Sequence, residues 1–118
     1  MNRLKRAAIS SLAGLRFNLR SEESFRQEAI ILAFCLILGF FIAPNAAWYV
    51  AMIGSLVLVM VTELLNTAIE RLADHVTPEF HPRIGAVKDS ASAAVFLAIV
   101  LAGIVWLTAL AERLGFLP

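Results

Sequence analysis

The stretch from Ala47 to Glu70, AWYVAMIGSLVLVMVTELLNTAIE, decides how this chain folds. From Ala47 to Thr62 it carries no charge and is apolar on every side, whereas a helix of a soluble bundle keeps a polar stripe. Polar residues then enter at helical spacing, as Glu63, Asn66 and Glu70. The pattern predicts a membrane-spanning helix that continues beyond its apolar part to about Ala73. The whole composition agrees. Of 118 residues 60% are hydrophobic and 16% charged, with a mean hydropathy of +0.82. A small soluble domain has too much surface to hide that many apolar side chains. Disorder, a disulfide scaffold and a coiled coil are excluded by the scarcity of charge and cysteine.

Two further apolar runs flank this one. The first is Ala29 to Ala43, ended by Pro44-Asn45, and the last covers about Ala91 to Ala111. The lone Cys35 sits in the first run and reads as packing or lipid-facing filler. Trp48, Tyr49 and Trp106 fall toward one end of the second and third runs, as interfacial aromatic anchors would. Six basic residues (Arg3, Lys5, Arg6, Arg16, Arg20 and Arg26) precede the first run, and the Pro44-Asn45 turn has none. Arg71, Arg83 and Lys88 occupy the second connection, and only Arg113 follows the third run. The positive-inside rule therefore places the N-terminus and the second connection in the cytoplasm and the C-terminus outside.

In the leader, Leu4, Ala8, Leu12, Leu15 and Leu19 recur at helical spacing, with Lys5, Arg6, Arg16 and Arg20 mostly on the flank beside them. Such a helix lies in the headgroup layer, apolar face down. Pro78, Pro82 and Gly85 mark 77–87 as a compact loop. The expected fold is thus an all-α membrane protein of one domain, 1–118. It has an N-terminal amphipathic surface helix over about 3–20 and transmembrane helices over about 26–43, 47–73 and 90–111. With a net charge of +1 there is no basic field to suggest nucleic acid.

Glu63, Asn66 and Glu70 stand within about 60° of one another on a helix of 3.6 residues per turn. A carboxylate inside a span costs roughly 2.5–3.5 kcal/mol, so such residues face a protein interior and mark function. Two acids on one face repel unless a cation sits between them. Glu63 lies 16 residues past Ala47, about 24 Å along the helix in a core of about 30 Å, which puts it near the cytoplasmic boundary. Upstream, Glu22, Arg26, Gln27 and Glu28 line the approach to the first span, and Lys88, Asp89 and Ser92 open the third. Hard oxygens for Mg²⁺ and a cation for phosphoryl groups are what magnesium-nucleotide chemistry needs, and there is no P-loop motif to supply it otherwise. His75 and His81 read as solvated loop histidines. On the third helix Ala86, Ser90, Ala94, Ala98 and Ala102 form a small-residue stripe that permits close packing. Three helices enclose little space, so helices from neighbouring copies are expected to complete a site.

These motifs resemble the small integral-membrane diacylglycerol kinases of prokaryotes. The matching strings are Phe25-Arg26-Gln27-Glu28, Glu63-Leu64-Leu65-Asn66-Thr67-Ala68-Ile69-Glu70, and Lys88-Asp89 followed by Ser92-Ala93-Ala94. The resemblance runs from about Arg3 to Leu110. It implies a homotrimer that transfers the γ-phosphate of ATP to diacylglycerol in the bacterial inner membrane, giving phosphatidic acid. It further implies Glu63 as the general base, also touching the lipid, Glu22 and Glu70 as Mg²⁺ ligands within the ATP site, and Asn66 as their support. Arg3, Ser10, Glu79, His81, Lys88 and Asp89 match positions near the nucleotide, and Gln27, Glu28 and Ser92 match positions near the lipid. Ser10, Leu12 and Ala13 stand where the family has Tyr, Trp and Lys, Ser21 where it has Asn, and Ala91 where it has Gly. An undecaprenol kinase would share the catalytic motif. A proton-coupled transporter or channel subunit would use Glu63 alone, but near the midplane and without the charged rim.

Overall fold

The computed structural model of the chain describes residues 2–118. Four helices follow one another: α1 (Arg3–Ser21), α2 (Glu23–Ile42), α3 (Ala46–Val76) and α4 (Pro82–Arg113). The last three are long and apolar enough to cross a membrane. α1 has no buried residue, and Leu4, Leu12 and Leu15 are exposed along it. The helical membrane fold expected from the sequence is the one observed.

Local chemistry sets each boundary. The Asn2 side chain accepts from the Lys5 N–H at 2.9 Å and caps α1. Glu22 alone, in extended conformation, separates α1 from α2. Pro44 cannot continue α2, and the residue before it, Ala43, is extended as a proline requires. Asn45 then caps α3 by accepting from the Trp48 N–H at 2.9 Å. The second connection is shorter than the sequence suggests, because α4 starts at Pro82. Proline fits a first helical position, where its missing N–H has no partner to lose, and the His81 Nδ1 accepts from the Arg83 N–H at 3.1 Å. Gly85 is therefore helical and lies against the Phe80 ring.

α3 packs chiefly on α4, and α2 lies mostly against α3. The seam on α4 is Ala91, Ala98, Ala102 and Ala109, all buried. At 100° per residue these alanines fall within about 40° of one another. The small stripe read from the sequence advances by four residues and so drifts about 40° at each step. Only its Ala98 and Ala102 are buried, while Ala86, Ser90 and Ala94 face outward. Tyr49 and Trp106 also differ from free interfacial anchors, since both spend their polar atoms between helices. The Tyr49 hydroxyl donates to the Leu36 carbonyl at 2.7 Å, and the Trp106 Nε1–H to that of Met52 at 3.0 Å. At this end Gly39 is buried, and a Cβ there would meet the Trp106 ring at 3.3 Å.

A helix of 31 residues is about 46 Å long, well beyond a hydrocarbon core of about 30 Å. α3 thus projects its acid-bearing end out of the core beside the α1–α2 elbow.

Candidate active site

The α3 end presents Glu63, Asn66 and Glu70 on one face, and Asp74 extends it, within about 20° of Glu63 around the helix. Asn66 and Glu63 are half-buried, whereas Glu70 and Asp74 are exposed. The Asn66 Nδ2–H donates to Glu70 Oε1 at 3.3 Å, which leaves Asn66 Oδ1 buried with no donor. Glu63 lies within electrostatic reach of Glu70 on its own helix and of Glu22 and Glu28 at and beyond the elbow. Four carboxylates from two parts of the chain therefore share one region.

Two cations answer them. Arg71 pairs with Glu22, also donates to Ser21 Oγ at 3.2 Å, and stands 4.7 Å from the centre of the Phe17 ring. Lys88 of α4 pairs with Asp74 at 2.5 Å rather than with Glu63 or Glu70. Neither partner choice is visible in the sequence. Arg71 and Glu22 are 49 positions apart, and the sequence reading missed Asp74, whose one signal is its spacing of four from Glu70.

The other sequence-derived residues fall into separate places. Glu79, His81 and Lys88 line one hollow of about 270 Å³ with Thr77 and Phe80. Arg3 and Ser10 are exposed on α1 and do not line that hollow. Asp89 and Ser92 are exposed on α4, and Gln27 contacts Glu23 at 3.5 Å. Glu28 borders an apolar cavity of about 310 Å³ between α2, α3 and α4, lined by Leu32, Leu56, Met60 and Ile99 among others. Its Oε2 is buried without a partner.

The donor set suits a hard divalent cation. It offers carboxylate oxygens together with an amide oxygen, Asn66 Oδ1, that no protein hydrogen satisfies. Among the described residues no three acids, histidines or cysteines stand close enough together to hold a metal ion by themselves. Small hard cations are commonly held by one or two carboxylates plus phosphate oxygens and water, so an open set fits a cation that arrives with a nucleotide.

The family model described as prokaryotic diacylglycerol kinase matches residues 9–110, a stretch that holds α2, α3 and most of α4. The chain belongs to this family. It is 40% identical over 96 residues to a diacylglycerol kinase of Haemophilus influenzae, covering 81% of each chain. It is 37% identical over 113 residues to that of Escherichia coli K12, covering 96% of this chain and 93% of the relative. A third relative, the diacylglycerol kinase of Pseudomonas aeruginosa, is 34% identical over 110 residues, or 93% and 89% of the two chains. A member of this prokaryotic diacylglycerol kinase family is a membrane enzyme of the lipid-kinase class. The relatives favour neither a transporter or channel subunit nor an undecaprenol kinase.

Proposed function

We propose that this chain transfers the γ-phosphoryl group of ATP to the free hydroxyl of diacylglycerol at the cytoplasmic face of the bacterial inner membrane. The observation that carries this reading is the acid face of α3, which lies within the family-matched stretch and shares its region with Glu22 and Glu28. The whole chain acts as one membrane-embedded catalytic domain.

Glu63 is the general base. It accepts the hydroxyl proton as the lipid oxygen bonds to the γ-phosphorus and the bond from phosphorus to the β-bridging oxygen breaks, releasing ADP. Its half-buried place near the membrane boundary suits a group that must reach a lipid head. Glu22 and Glu70 would hold Mg²⁺, which when bound with ATP neutralises phosphate charge. Asn66 holds the Glu70 carboxylate in place through its amide N–H. Lys88, Glu79 and His81 bind nucleotide at the hollow by the second connection, with Asp89 contributing from the exposed face of α4 and Arg3 and Ser10 from α1. Glu28, Gln27 and Ser92 bind the lipid, Glu28 at the mouth of an apolar cavity fit for acyl chain.

The active form is a homotrimer. Only 11–17% of the residues in the most apolar stretches of the spanning helices are buried within one chain. Ala86, Ser90 and Ala94 leave a smooth outward face on α4 for a neighbour, next to rim residues that remain exposed. The basic leader and second connection favour a cytoplasmic N-terminus and a periplasmic C-terminus.

Side-by-side assays with purified protein, labelled ATP and either diacylglycerol or undecaprenol test the reading. Mg²⁺-dependent label in phosphatidic acid is expected, well above that in the polyprenyl product. ATP turnover indifferent to lipid alcohol would overturn it.

A further inference from the structure

The Arg71–Glu22 pair ties together two parts of the chain that the site requires. We infer that Arg71 is a movable counter-charge: it binds the Glu22 carboxylate, as the structure shows, and passes to a phosphate oxygen when a metal–nucleotide complex takes Glu22. This rests on the kinase reading above.

Three observations lead to it. First, the Arg71 guanidinium already binds a carboxylate oxygen that a divalent cation needs, and two cations on one oxygen repel. Second, the pair is half open, with side chains 44% and 29% exposed, so water and phosphate reach it and it is cheap to exchange. Third, the Phe17 ring and Ser21 Oγ give the guanidinium two other contacts, which keep it beside the acids after Glu22 is surrendered. A planar guanidinium binds phosphate in the same forked way as carboxylate. Of the other cations nearby, Lys88 is engaged by Asp74, and Arg26 donates to the Leu19 and Arg20 carbonyls.

The two halves of the exchange have opposite signs, and this makes them testable. In the full-length protein in detergent, Mn²⁺ affinity without nucleotide is read by electron paramagnetic resonance. Affinity for a non-hydrolysable ATP analogue with Mg²⁺ is read by equilibrium binding. Arg71→Gln should bind Mn²⁺ about threefold more tightly, as relief of an exposed charge competition allows. The same variant should bind the analogue about tenfold more weakly, as loss of one charge-assisted phosphate contact predicts. Arg71→Lys keeps the charge and loses the fork, so its Mn²⁺ affinity should stay near wild type while analogue binding weakens. If both affinities of Arg71→Gln are unchanged, or both fall together, the pair is a structural fastener and the inference is overturned. Should Arg71→Gln not fold, Arg71→Lys decides alone, and unaltered analogue binding would overturn the inference. Wild-type protein without lipid-dependent ATP turnover would sink the kinase reading instead.

Discussion

Glu63 differs from the other acids of the region in position. It is half-buried and nearest the apolar part of α3, while Glu70 and Asp74 extend away from the core. Glu63→Gln keeps shape and hydrogen-bonding capacity but cannot take a proton. It should insert and assemble normally while losing phosphoryl transfer by about 10²–10⁴-fold, the usual contribution of a positioned base. Near-normal turnover would remove Glu63 from that role. In the proposed mechanism Glu22 and Glu70 act differently, through charge offered to a cation. Glu22→Gln or Glu70→Gln should raise the Mg²⁺ concentration needed for half-maximal rate, because each removes a hard anionic ligand. An unchanged metal titration in both variants would sink the assignment. The acid face was legible because its residues sit on one helix, where spacing alone places them. The partners of its cations were not. Arg71 and Lys88 find Glu22 and Asp74 through the packing of α3 against the elbow and α4, which no local pattern encodes.

The helices themselves were plain in the sequence, since apolar length and flanking charge are local quantities. Their mutual phase was not. Four-residue spacing of small residues on α4 suggested one stripe, but α3 selects the seam that follows its own course, Ala91 to Ala109. Likewise Pro82 reads as a breaker until His81 is seen capping the helix it begins. At the opposite end from the acids α2 comes close to α3 and α4, where Gly39 meets Tyr49 and Trp106. Gly39→Val should force these rings aside and lower stability by about 1–3 kcal/mol, as overpacking does. Thermal unfolding in detergent, followed by tryptophan fluorescence, measures it. An unshifted midpoint would mean that α2 moves freely on α3.

Within one chain the acids are gathered but not enclosed, and a nucleotide site needs walls. Ala94 is exposed at the edge of the α3–α4 seam, whereas Ala98 lies buried inside it. The two positions therefore separate assembly from folding. Ala94→Leu puts a bulky side chain on the face offered to a neighbour, where close helix packing depends on small residues. It should weaken the oligomer in light scattering and chemical crosslinking and reduce activity in parallel, while the single chain unfolds as before. Ala98→Leu should instead destabilise the α3–α4 hairpin, and association would fall only as folding fails. A further readout comes from mixing Glu63→Gln chains with Lys88→Ala chains. Recovered activity places the two residues in one site from different copies, and failed rescue with an intact trimer places them on the same chain. A fully active Ala94→Leu monomer would refute the proposed trimeric site, because the exposed rim of α3 and α4 would then suffice to hold ATP beside the lipid.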